Sequence, residues 1–239
     1  MTRPPNAGAQ LYRTSTTPPF TICLRPHQEI DDKIRVSGVW PDCAGLPELI
    51  ARRDAPTGRR RLFVDVGANI GACSLWMAAL GHVVIGFEPV ASTFAALSAG
   101  LAANLGHPNG FATGSDVRLI HAAASDAIGT GFIQSNIGNS GDSITAGVAA
   151  GGRSGGDGAR GRVESRGGGS PYGIPDAYWA LPGHRLHNYT RHPIHLTTLD
   201  RSLPTGVTID LLKVDSQVCV RHSRVVHCYC SCAAADSLL

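Results

Sequence analysis

Leu62-Phe63-Val64-Asp65-Val66-Gly67-Ala68-Asn69-Ile70-Gly71 runs from a short apolar, β-favouring segment straight into a turn of small residues. The pattern predicts strand, tight turn, helix. The helix starts near Gly71, carries Ala72, Leu75, Trp76, Ala79 and Leu80 on one face, and stops at Gly81-His82. Val83-Val84-Ile85-Gly86-Phe87-Glu88-Pro89 then supplies a second buried strand, so the unit is βαβ with an acidic residue closing its second strand. Glycines at such a turn admit a ligand close to the backbone, and a carboxylate ending the next strand is placed to accept hydrogen bonds from ribose hydroxyls. A nucleoside-bearing cofactor follows. A dinucleotide is the weaker option, because Asn69 stands where the G-x-G-x-x-G fingerprint needs its second glycine.

Composition narrows the classes around this unit. The 239 residues suffice for one domain with a sizeable core, and 43% hydrophobic content fits a globular chain. Charged residues make up only 16%, while 29 Gly and 15 Pro predict that part of the chain is irregular. A net charge of +3 and the run Gly58-Arg59-Arg60-Arg61, with no interleaved aromatics, argue against a nucleic-acid partner. No run reaches the ~18 apolar residues of a membrane span. Residues 1–28 lack Asp and Glu but also lack the apolar core of a secretory signal, and the expected location is the cytoplasm. Cys23, Cys43 and Cys73 are scattered and four more cysteines crowd the end, which predicts reduced thiols rather than a disulfide scaffold.

The chain divides accordingly. Residues 1–18, rich in Pro and Thr, are expected to be disordered, and residues 19–61 form a lead-in with a strand at Phe20–Leu24 and a helix from Pro47. Residues 62–217 form the core. Ser92 is the expected N-cap of its second helix, Val117–Ala122 the third strand, Gly131–Ile133 the start of a hairpin, and Val207–Asp215 the fourth strand. Residues 147–171 are a Gly/Ser/Arg tract without apolar periodicity and read as a flexible insertion; residues 218–239 are a Cys-rich tail.

Phe63 to Gly71, Gly86-Phe87-Glu88-Pro89, His121 to Asp126, Asn139-Ser140-Gly141 and Leu212-Lys213-Val214-Asp215, in this order and spacing, resemble the FkbM-type S-adenosylmethionine-dependent methyltransferases. The resemblance covers roughly residues 20 to 217. It implies a Rossmann-like three-layer α/β sandwich with a mostly parallel sheet of strand order 3-2-1-4, built by right-handed crossovers. It also implies S-adenosylmethionine as cofactor, with Asp65, Gly67, Asn69 and Gly71 around its methionine part, Glu88 on the ribose and Asp126 at the adenine edge. The reaction it implies is O-methylation of a hydroxyl-bearing small molecule or glycan. Methyl transfer from a sulfonium requires mainly positioning and removal of a proton, so Asp215, with Lys213 beside it, is the candidate for acceptor orientation or proton removal.

The resemblance stops at Gln217, where the family continues from Lys-x-Asp into a Gly-x-Glu segment and this chain reads Val218-Cys219-Val220-Arg221. A truncated core is therefore expected, with three later strands missing and strand four left as a hydrophobic edge unless the tail covers it. A valine codon begins with the two bases of a splice donor, so the break is expected to reflect intron read-through or a gene-model error. An inactive cofactor-binding fragment is the first alternative. The second is a zinc-binding interaction module formed by Cys219, His222, His227, Cys228, Cys230 and Cys232, although Cys228-Tyr229-Cys230-Ser231-Cys232 alternates like an extended chain rather than a C-x-x-C knuckle. His184, His187, His192 and His195 fall in a Pro-containing segment read as a loop, and no metal site is assigned to them.

Overall fold

The computed structural model describes residues 8–51, 60–106, 111, 116–136, 143–149, 189–215 and 228–230. The chain opens with β1 (Gln10–Arg13), β2 (Thr21–Leu24), α1 (Glu29–Ser37), a 3-10 turn (Pro41–Cys43) and α2 (Leu46–Ala51). The central unit follows as β3 (Leu62–Val66), α3 (Ala72–Ala79), β4 (Val83–Phe87), α4 (Ala91–Asn104) and β5 (Asp116–Ile120). Beyond it lie β6 (Ala123–Ala124), β7 (Gly129–Asn136), β8 (Ser143–Ala149), β9 (Tyr189–Thr197), α5 (Leu199–Ser202), β10 (Leu211–Val214) and β11 (Cys228–Cys230).

The main sheet has the order β11-β10-β3-β4-β5, and every pairing in it is parallel. This is the expected 3-2-1-4 order of a Rossmann-like α/β fold, extended by one strand. Because parallel strands are buried on both faces, β4 reads as a continuous apolar run and β3 as one interrupted only by the buried Asp65. Leu62, Val64, Val66, Ile85, Phe87, Leu212 and Val214 fill one face, against Leu199, Leu203 and Ile209. Phe63, Val84 and Leu211 lie on the other, beneath α3. At the base of the sheet Asp210 accepts from the Leu62 amide (2.8 Å) and its own amide bonds the Leu62 carbonyl (3.0 Å), which fixes where β10 joins β3.

Helix α3 is buried on more than its predicted face. Leu75 and Ala79 enter the cluster formed by Ile22, Leu24 and Leu97, while Cys73, Met77 and Ala78 enter a second cluster with Cys43, Leu46 and Ile50. The lead-in supplies that second covering. It is also tied covalently: Cys43 and Cys73 form a disulfide, Cα atoms 5.2 Å apart. The expectation of reduced thiols is corrected at this pair, and Cys23 remains a buried free thiol. Spacing along the chain could not disclose a bond whose partners meet only when the lead-in folds over α3.

Four further expectations are revised and one, the hairpin at Gly131, is met. Residues 8–18 were assigned to a disordered terminus, but Gln10 to Arg13 pair antiparallel with Thr21 to Leu24, and that ribbon packs on α4, where Asn104 bonds both backbone groups of Thr21. Ser92 is not the N-cap of α4; Val90 is, without a side-chain cap of its own. The hairpin at Gly131 is the β7–β8 pair within a second, four-stranded sheet ordered β6-β9-β7-β8. Residues 147–149, placed in the flexible tract, end β8, and His192 and His195, placed in a loop, lie in β9. Pro193 is accommodated there because, among the described residues, β6 pairs only with Leu196 and Thr197 and no strand pairs that edge of β9 beside the proline.

The tail does cover strand four. Cys228 to Cys230 pair in parallel with Leu212 to Val214, so these three residues are extended as read and the β10 edge is not bare. Residues 1–7, most of the glycine tract, His184, His187, Asn139 to Gly141 and the Gln217 junction lie outside the described residues.

Candidate functional site

The candidate site gathers at the carboxyl ends of β3, β4 and β10, beside the turn that joins β3 to α3. The turn has three consecutive alternating residues with positive φ: Gly67 (78°), Asn69 (53°) and Gly71 (91°). At Gly67 a Cβ would lie 2.1 Å from the carbonyl oxygen of Asp215, and at Gly71 one would lie 2.3 Å from Leu97 Cδ1. Glycine is therefore demanded at Gly67 by both conformation and space, and at Gly71 chiefly by conformation, since the leucine side chain can shift. Asn69 adopts the left-handed region that Asn tolerates, and its Oδ1 accepts from the Ile70 amide (2.9 Å).

Glu88, just past β4, is 6% exposed and grips the turn from the opposite side. Its Oε2 accepts from the Asn69 amide (3.0 Å) and its Oε1 from the Val90 amide (2.8 Å), so one carboxylate caps α4 and braces the glycine turn. Burial pushes its carboxyl up to about 7; the Val90 and Asn69 amides and Arg25 pull the other way, and Asp65 adds to the rise.

Asp65 and Lys213 lie deeper. Asp65 is fully buried on β3 and accepts from Ser74 Oγ (2.7 Å) and from Lys213 Nζ (3.0 Å). Lys213 is 2% exposed, and its ammonium also stands 3.4 Å from Asp215 Oδ2. Burial alone disfavours the charged lysine, but Asp65 and then Asp215 outweigh it, and its pKa is raised. Asp215 has a side chain 42% exposed, and is the member of this set that meets solvent. Of the residues predicted from the sequence, the structure thus brings Asp65, Gly67, Asn69, Gly71, Glu88, Lys213 and Asp215 around one turn. Asp126 is exposed, past β6, with a hydrogen bond from Ser125 Oγ (3.2 Å), and no contact joins it to that group.

Neither a protein-family model nor a curated protein matches the chain. A solved structure that does is the T. thermophilus 16S rRNA N2 G1207 methyltransferase in complex with AdoMet and guanosine. It is 26% identical over 48% of this chain and 27% of that one, with a TM-score of 0.32. The chain thus spans about a quarter of that protein. A likeness of this size fixes neither the fold nor the substrate here. One expectation is corrected on a physical ground: nucleic acid was excluded on a net charge of +3. Net charge averages over the whole surface and says nothing about one crevice, so it excludes no acceptor class.

Sequence reasoning missed three supports. Ser74 faces inward from α3, and its signal was a small polar residue among apolar ones. Arg25 and Asp31 form a buried ion pair, 5% and 0% exposed at the side chains, with Nη2 to Oδ2 at 2.9 Å. Arg25 Nη1 also reaches Thr93 Oγ1 (2.9 Å) in the first turn of α4, which anchors the lead-in next to Glu88. No local pattern marks a pairing between a β2 end and a helix 68 residues on. At the mouth of β5, His121 stacks on Phe94 with ring centroids 4.6 Å apart. Among the described residues no group of three or more His, Cys, Asp or Glu side chains is arranged to hold a metal ion, and no helix is long and apolar enough to cross a membrane.

Proposed function

We propose that this chain is an S-adenosylmethionine-dependent methyltransferase of the FkbM type, acting on a hydroxyl of a small molecule or glycan. One observation carries the reading: the carboxylate that ends β4 is hydrogen-bonded to the glycine turn that ends β3, at the carboxyl edge of a parallel sheet. Ligands of open α/β sheets bind at this edge. Glu88 accepts one amide bond at each oxygen, and a carboxylate oxygen has a second lone-pair site, so ribose hydroxyls can be added without breaking its hold on Asn69. Gly67, Asn69 and Gly71 line the methionine end and Asp126 closes the adenine edge.

Lys213 is enclosed and paired, which suits holding other groups rather than exchanging protons with an acceptor. Asp215, half exposed at the end of β10, is the group that orients the acceptor or takes its proton. When bound, the cofactor supplies an electrophilic methyl group on a sulfonium. The protein's share is alignment of the incoming oxygen and removal of its proton.

Isothermal titration with S-adenosylmethionine and with its demethylated product tests the binding half of this reading, and Glu88→Ala should abolish the heat signal. Transfer of labelled methyl groups to hydroxyl-bearing acceptors, with an RNA arm alongside, tests the second half. Binding without transfer to any acceptor would favour an inactive cofactor-binding fragment.

A further inference from the structure

Lys213, Asp65 and Gly86 occupy one row across the parallel sheet, as direct register partners on β10, β3 and β4. Above the row, Ser74 descends from α3 to bond Asp65 Oδ2, while Lys213 bonds Asp65 Oδ1. The space for that hydroxyl comes from Gly86: a Cβ there would stand 3.3 Å from Ser74 Oγ and 3.4 Å from Ala68 Cβ. Both oxygens of a fully buried carboxylate are thus clamped, one from the helix and one from the neighbouring strand.

A buried ion pair is a poor source of stability, since desolvation of two charges offsets their attraction. What this one does hold is geometry. Lys213 extends from Asp65 to Asp215, and the Asp215 backbone presses on Gly67: its amide bonds the Val66 carbonyl (2.9 Å), and its carbonyl fills the space a Gly67 side chain would need.

We propose that Ser74 and Lys213 are positioning residues, which lock the Asp65 carboxylate so that Asp215 is held in one place against the Gly67 turn. Asp65 then acts through its neighbours and does not touch the cofactor. The ligand in this inference rests on the methyltransferase reading; the clamp itself does not.

Two variants test it. Ser74→Ala removes one clamp; Asp65→Asn with Lys213→Met removes the charges together while keeping the shapes, so that a fold survives even if the single change is poorly tolerated. The double variant should melt near the parent, and both variants should bind S-adenosylmethionine about tenfold more weakly or worse. The amides of Gly67 and Asp215 should exchange with solvent about tenfold faster, with exchange elsewhere in β3 and β10 unchanged. Parent-like affinity and exchange in the double variant would overturn the proposal, as would a loss of affinity matched by an equal, global loss of stability. If the parent itself binds no S-adenosylmethionine, the methyltransferase reading fails, and the amide exchange alone decides for or against the clamp.

Discussion

Opening the Cys43–Cys73 bond tests how the lead-in is attached to the core. The two cysteines are 30 residues apart, and the loop they close contains α2, β3 and the whole glycine turn. Chain-entropy reasoning for a loop of about 30 residues gives a stabilisation of about 3.5 kcal/mol, because the open unfolded chain has that much more freedom to lose. For a chain of this size each kcal/mol corresponds to about 2–4 °C, so reduction should lower the melting temperature by about 7–14 °C. Urea unfolding with and without a phosphine reductant measures it directly. At a slope of about 3 kcal/mol/M the midpoint should fall by about 1.2 M, and the slope itself should rise as the unfolded chain expands. Cys43→Ala with Cys73→Ala should reproduce the loss and add to it, because both sulfurs are buried and their removal leaves space in the cluster of Leu46, Ile50 and Met77. Peptide mapping of the alkylated protein establishes the bond before the comparison is made. A loss below about 1 kcal/mol with the bond confirmed would refute the reasoning, since the loop would then be restrained in the unfolded chain without it.

The Glu88 carboxyl, raised to about 7, retains its proton to higher pH in the folded than in the unfolded chain. Its contribution to stability is therefore greatest below the unfolded carboxylate range and is lost as pH rises to about 7; Glu88→Gln should remove that slope in pH-dependent melts. Ribose hydroxyls donate to the ionised form, so affinity for S-adenosylmethionine should climb about tenfold per pH unit up to 7 and level above it, as read by calorimetry. Gly67→Ala should destabilise more than Gly71→Ala, although both force a side chain into positive φ: at Gly67 the obstacle is the Asp215 backbone, while at Gly71 it is a leucine side chain that can shift. Equal melting temperatures for the two would contradict this. Asp31→Asn leaves the buried Arg25 guanidinium without its counter-ion and should cost about 3–5 kcal/mol, far more than replacing both by apolar residues.

The βαβ unit was legible because its signals are local. Leu62 to Val66 and Val83 to Phe87 are largely apolar runs of strand length, and Gly67, Asn69 and Gly71 after the first are the residue types that a positive-φ turn requires. The order of the four core strands followed from the resemblance and is the order observed. What stayed hidden depends on contacts between distant segments. Cys43 gives no sign that Cys73 is its partner, and Lys213, read as a companion of Asp215 at the acceptor, shows its pairing with Asp65 only once its register on β10 is known. The β-strand at Cys228 was read as extended, but its place beside Leu212 depends on a crossover that carries no local signal. His192 and His195 were misplaced because Pro193 between them was read as a loop marker, whereas an edge position tolerates it.

The two buried charge systems have one common consequence for the glycine turn. Glu88 holds it at Asn69 from β4, and the Asp65–Lys213–Asp215 row holds it at Gly67 from β10. Left alone, a turn with three residues at positive φ would sample many conformations, and a ligand would have to order it on binding. Here that ordering is completed during folding, by side chains whose burial is itself unfavourable and is sustained by the surrounding apolar clusters. The disulfide fastens the helix that follows the turn, at Cys73, two residues after Gly71. A site built in this way should bind its cofactor with little loss of conformational entropy. Its specificity should then depend less on the turn than on Asp215, the half-exposed end of the row, which is where an acceptor can meet the protein.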